Sequence, residues 1–260
     1  MNKLSGAVLA LAVLLSGVFV SCGYEGSIQA PHEAPKSVYT PTASPTPTLS
    51  VFQQHLAKLN PSLQKYVKGL YKEYSQNSWK YQGWDKLHKY IAKSHTSAER
   101  QFKFPEPVSH QDISEIVYGL KVYSKKWHAD LDWMVAFTKH ESGFLDIIGD
   151  KKDKVTKKPN PPEKLSLGLD QVQLGTARGN LSSRGIDPTG LTTDDLLYFR
   201  LMNLDIGISV MSSKIRQRGR KNGTKAYNGG DGGWRDGRAD KYYKDVLHVY
   251  NNRKAWTTAK

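Results

Sequence analysis

Leu201, Leu204, Ile208, Met211 and Ile215 recur at spacings of three and four. That period matches the turn of an α-helix and lays the five side chains on one face, which must be buried against another element. Residues 193–217 are therefore read as an amphipathic helical region. The same period marks Leu56, Leu59, Leu63, Val67, Leu70 and Tyr71, then Tyr81, Trp84, Leu87, Tyr90 and Ile91, then Ile113, Ile116, Val117, Leu120 and Tyr123. A chain so built is expected to be mainly α. Pro61 reads as a break or a first-turn residue, and Ser109 as the cap of a helix running to about Trp127. Gly207 lies inside the 193–217 region, where glycine costs about 1 kcal/mol against alanine. Close backbone packing is expected there.

One stripe ends on a charge. Leu131, Met134, Phe137 and Thr138 fall at helical spacing, and a further step of four from Phe137 reaches Glu141. Asp130 can cap the start of this helix and Gly143 stops it. A glutamate at the inner end of an apolar stripe is partly desolvated, which raises its pKa and suits a general acid working near neutral pH. The plain alternative is a helix-end glutamate that bends out to water, since glutamate is rarely buried.

The first 22 residues read as an export signal. Lys3 supplies the charged start and Ala7 to Val20 an apolar run, too short for a spanning helix. The run closes on Phe19-Val-Ser-Cys22, which resembles a bacterial lipobox. Cys22 is the sole cysteine, which excludes an intrachain disulfide and a two-cysteine metal site; a lipid-modified N-terminus at Cys22 accounts for it. Residues 23–50 hold Pro31, Pro35, Pro41, Pro45 and Pro47 among Ser, Thr and Ala, the composition of an extended tether. Gly23 is not Asp, so by analogy with enteric sorting rules the anchor is expected in the outer membrane, facing the periplasm. The formal charge of +14 calls for an acidic partner or surface such as nucleic acid, anionic lipid or cell wall, or serves solubility alone.

Residues 51–108 carry no recognisable chemistry and are read as a helical region that packs on the domain C-terminal to it. Residues 145–165 are read as a long loop holding Lys151, Lys152, Lys154, Lys157 and Lys158 between prolines, either a mobile functional loop that attracts an anionic polymer or a solvated insertion. A last helix is expected from about Asp240 through Tyr242, Val246 and Tyr250. Other chemistries fail on spacing. A zinc protease would need a second histidine where Phe144 stands. There is no nucleophile elbow and no phosphate-binding loop, and the acids between Asp150 and Glu163 lack calcium-loop spacing.

Four short stretches stand in order: Glu141-Ser-Gly-Phe144, Gly168-Leu-Asp-Gln-Val172, Asn203-Leu-Asp-Ile-Gly207 and Ala226-Tyr-Asn-Gly-Gly230, with Tyr242 beyond. Together they resemble the soluble-type lytic transglycosylases of the lysozyme-like superfamily, which cleave peptidoglycan. The resemblance implies a lysozyme-like catalytic domain over residues 109–253, preceded by the helical 51–108 region. It makes Glu141 the single catalytic acid/base and Ser142 a neighbour that helps place the acid and the substrate. It makes Gln171 a sugar-binding residue, Tyr227 and Asn228 the lining of the reacting subsite, and Tyr242 a ring whose hydroxyl approaches the catalytic carboxyl. Asn203 and Gly207 match a structural helix motif. The implied partners are peptidoglycan strands, a membrane through the N-terminal lipid and envelope proteins at the 51–108 region. No nucleic acid, cofactor or metal is implied.

One position departs from the family's pattern, which has Met where this chain has Asp170. A second carboxylate about 6.5–9.5 Å from Glu141 could activate water, as in an inverting hydrolase, and give muramidase chemistry. Alternatively Asp170 contacts substrate or a lysine of the 151–158 loop, and this second reading is preferred. A non-catalytic wall-binding lipoprotein is the remaining alternative.

Overall fold

The computed structural model describes residues 49–81, 85–102, 109–152 and 156–257. The export signal, Cys22 and nearly all of the tether lie outside the described residues. The described part is predominantly α-helical. Its helices are α1 (Leu49–Lys58), α2 (Pro61–Asn77), α3 (Lys86–Phe102), α4 (His110–Lys126), α5 (Leu131–Ser142), α6 (Leu174–Ser183), α7 (Thr193–Tyr198), α8 (Arg200–Gly233) and α9 (Asp240–Asn251). Among the described residues no helix is long and apolar enough to cross a membrane.

Local chemistry sets the helix ends. Pro61 occupies the first turn of α2, and the Asn60 side chain accepts from the Leu63 amide at 2.9 Å. Ser109 and Asp112 form a reciprocal capping box at the start of α4. Asp130 accepts from the amides of Asp132 and Trp133 to open α5, and Gly143 closes it in the left-handed conformation with φ 68°. Glycine takes that conformation without the steric cost met by other residues.

Residues 145–165 carry more order than a loop. The strands β1 (Ile148–Gly149), β2 (Ser166–Leu167) and β3 (Val172–Gln173) form a small antiparallel sheet in the order β1-β2-β3. A bridge between Lys152 and Pro159 and a short 3-10 turn at Pro162–Lys164 complete the excursion. Their backbone pairing is invisible to side-chain periodicity. The 193–217 stripe is also two elements, because Phe199 leaves helical geometry with ψ 80° between α7 and α8. The α8 span runs to Gly233 but is broken where Gly219 and Gly230 leave helical geometry, so the chain after Gly219 folds back until Gly223 packs on the Ile215 backbone.

A single apolar core gathers side chains from Leu56 to Trp256. At its centre α4 and α8 approach so closely that Gly119 lies under the Leu204 side chain. Two ionic hubs join elements distant in the chain, and the first reaches α2 through Tyr66. Asp205, fully buried, accepts from Tyr66 at 2.5 Å, Lys126 at 2.9 Å, Trp127 at 2.9 Å and Arg184 at 2.7 Å. Arg200 binds Asp112, Glu115 and Asp146. These side chains, with Phe52, Tyr71 and Tyr198, line a cavity of about 580 Å³ that contains none of the expected site residues.

Candidate active site

Helix α5 delivers Glu141. Trp133, Met134, Val135, Ala136, Phe137 and Thr138 are all buried on it, so the helix is pinned by its apolar body and presents the glutamate in its last turn. Glu141 itself is half-buried. Across from it, α9 brings up Tyr242, whose hydroxyl donates to Glu141 Oε1. The His140 ring stands edge-on to Tyr242 with centroids 4.9 Å apart. Burial pushes the Glu141 carboxyl up to about 8; the Tyr242 bond opposes the shift, and the charges of Asp170 and Asp150 add to it.

Ser142 is buried and faces its own helix end. Its hydroxyl donates to the Thr138 carbonyl at 3.3 Å and accepts from the Phe144 amide at 3.1 Å. It thereby fixes the chain reversal after Glu141, where Gly143 and Phe144 both have positive φ. Gln171, at φ 49°, folds its amide back onto the Ile147 and Gly168 carbonyls at 3.0 and 2.8 Å and lies against Gly149. It braces the β1-β2 excursion from inside.

Tyr227, on the part of α8 beyond Gly219, packs edge-on to Phe137 with centroids 4.8 Å apart and donates its hydroxyl to the Asp170 carbonyl at 2.8 Å. Burial first, then the charges of Asp170 and Glu141, hold its phenol well above the usual tyrosine range. Asn228, next along the helix, is exposed, and its side chain forms no hydrogen bond among the described residues.

Asp170 corrects the expectation placed on it. It is fully buried and, among the described residues, pairs with no lysine of the 151–158 loop. Its Oδ1 accepts from the Thr138 hydroxyl at 2.6 Å, and its amide donates to Asn203 Oδ1 at 3.0 Å. The backbone of Gly207 presses directly on the aspartate side chain, which is the close packing foreseen for that glycine. Burial pushes the Asp170 carboxyl up to about 8, against the pull of the Thr138 bond.

The structure therefore brings Glu141, Tyr227, Tyr242 and Asp170 into one electrostatic neighbourhood, with Ser142 and Gln171 bracing its edges and Asn228 on the outer surface. Sequence reading missed Thr138 and Asp150. Thr138 was counted with the apolar stripe; a hydroxyl on an otherwise apolar face was the signal that it serves a polar partner. Among the described residues no three His, Cys, Asp or Glu side chains are grouped to hold a metal ion.

No family model matches the chain, and no curated protein matches it. Among solved structures it is similar to an inactive mutant of the lytic transglycosylase Slt from Pseudomonas aeruginosa, at 17% identity and a TM-score of 0.45. The match covers 80% of this chain and 38% of that chain.

Proposed function

We propose that this chain is a peptidoglycan lytic transglycosylase of the soluble type, exported and lipid-anchored at Cys22, with Glu141 as its acid/base. The carrying observation is the state of Glu141. The carboxyl is desolvated, has no basic partner among the described residues and is held in place by the Tyr242 hydroxyl. A carboxyl in that setting keeps its proton at neutral pH, as an acid catalyst requires.

In this reading Glu141 donates its proton to the oxygen leaving N-acetylmuramic acid as the β-1,4 bond to N-acetylglucosamine breaks. The sugar's acetamido group stabilises the cationic C1. The ionised Glu141 then takes the proton of the sugar's own C6 hydroxyl, whose oxygen closes on C1 to give a 1,6-anhydro ring. No water is consumed, so one carboxyl suffices where an ordinary glycosidase uses two. Tyr242 steadies Glu141 through both proton transfers. Ser142 positions the acid by fixing the turn behind it, and Gln171 shapes the backbone that borders the sugar. Asn228, exposed beside Tyr227, is the group free to meet a sugar. The catalytic unit is residues 109–253, and the 51–108 helices support it and meet envelope partners.

The muramidase alternative draws no support from Asp170, because a water-activating base must reach the water, and that carboxyl is sealed beneath Thr138 and Gly207. The test is mass spectrometry of the products released from purified peptidoglycan by the mature protein. Ends carrying 1,6-anhydromuramic acid, lost in Glu141→Gln, are expected. Reducing muramic ends, one water heavier, would replace this reading with hydrolysis, and wall binding without release would replace it with adhesion.

A further inference from the structure

Transglycosylation by Glu141 makes no use of the buried carboxyl of Asp170. Asp170 has its Oδ1 on the Thr138 hydroxyl at 2.6 Å, while its Oδ2 has no hydrogen-bond partner and no solvent. An ionised carboxylate with an unmet oxygen in a dry site is strongly disfavoured. Plain packing would be served by an apolar side chain such as the methionine of the family pattern. The chain instead keeps a carboxyl here and opposes it with the bare backbone of Gly207.

Its connections lead to Glu141 by two routes. Thr138 lies one turn before Glu141 on the same helix, so the Asp170–Thr138 bond holds the frame that carries the acid. The Asp170 carbonyl accepts from Tyr227, whose ring packs on Phe137 of that helix. The titratable groups facing the pair are Asp150 from the sheet side, Tyr227 from α8 and Tyr242 from α9. No basic side chain among the described residues pairs with either carboxyl. A charge on Asp170 therefore opposes the ionisation of Glu141, as one carboxylate does beside another.

We propose that Asp170 is a positioning residue for Glu141, holding the α5 frame through Thr138 and setting, by its own charge, the pH at which Glu141 gives up its proton. The proposal rests on Glu141 being the proton donor of the transglycosylase reaction and deepens that reading. Asp170 touches no reacting atom. As pH rises, ionisation of Asp170 makes Glu141 harder to ionise, so Glu141 keeps its proton further into the alkaline range than it would beside a neutral residue.

Two measurements test it. The first is the pH dependence of kcat/KM on peptidoglycan for the native protein and Asp170→Asn, which keeps the shape and an acceptor for Thr138 but carries no charge. The alkaline limb is expected to fall by about one pH unit, the coupling at which two sites titrate jointly. The second needs no turnover: carbon-13 NMR titration of the side-chain carboxyls. Glu141 is expected to titrate lower in Asp170→Asn than in the native protein. Should Asp170→Asn fail to fold, Thr138→Val removes the bond that favours the aspartate's charged form, and the Asp170 titration should move up. Carboxyls that titrate independently, with the alkaline limb unmoved, would overturn the proposal. A native protein that releases nothing from peptidoglycan would overturn the functional reading instead, and the carbon titration alone would then decide the coupling.

Discussion

Gly207 leaves no room for a side chain against Asp170: a Cβ built on the glycine would collide with the aspartate's Cβ and Oδ2. The contact joins α8 to the β2-β3 turn and fixes the Asp170 side chain in place. It also turns an ordinary helix rule around. Alanine normally gains on glycine within a helix, yet here it must displace a buried carboxyl.

Gly207→Ala should therefore destabilise the protein by about 1–3 kcal/mol, the usual cost of overpacking a closed core. Gly69, in the exposed face of α2, has nothing within 4 Å of where its Cβ would stand. Gly69→Ala should stabilise by about 0.5–1 kcal/mol. Urea denaturation of the two variants, read at the midpoint, checks both signs; equal effects would refute the steric account.

Asp205 is a buried charge with two cationic partners, Lys126 and Arg184. Removing it strands the half-buried Arg184 and unties Tyr66 of α2 from the core. Asp205→Ala is expected to cost about 3–5 kcal/mol, the range for breaking one side of a buried pair. Thermal or urea unfolding measures this, and a loss below about 1 kcal/mol would mean that the hub is solvated.

Tyr242→Phe removes the one hydrogen bond that favours the charged form of Glu141. The Glu141 carboxyl should then titrate above its native value of about 8. The acid would be held more firmly but placed less well, so kcat should fall while the alkaline limb of the pH profile moves up. A limb moving down would contradict the assigned direction of the bond.

The contribution of three carboxyls to stability should fall as pH rises from about 4 to 8, against the opposite pull of His110 and His140, whose values burial lowers. Glu141 shifts from 4.5 to about 8, Asp170 from 3.8 to about 8 and Glu115 from 4.5 to about 7 on folding. Between those limits the folded state binds protons that the unfolded state has lost, so each rise in pH favours unfolding. Below the unfolded values the contribution is complete, and it is lost through the folded ones. Asp170→Asn should flatten the slope of unfolding free energy against pH between 4 and 8; an unchanged slope would show that Asp170 does not titrate there.

What could be read from the chain alone was local. The stripes at three- and four-residue spacing became helices, except that Tyr81 lies in a 3-10 turn and Trp84 outside the described residues, and Ser109, Asp130 and Gly143 mark helix ends because capping is settled within four residues of chain. The position of Glu141 at the end of an apolar helix was legible for the same reason. The strands at 148–149, 166–167 and 172–173 were not, since two-residue strands carry no period, and α6 was not, since its buried Leu174, Ala177 and Leu181 are too few to stand out. The end of the amphipathic stretch near residue 217 was legible, since α8 leaves helical geometry at Gly219. Above all, the place of Asp170 depended on tertiary packing. Its sequence neighbours suit a cleft residue as well as a core one. Only the approach of Thr138, Asn203, Gly207 and Tyr227, drawn from two helices far apart in the chain, decided that it is buried, because burial is a property of what surrounds a residue and those surroundings lie tens of residues away.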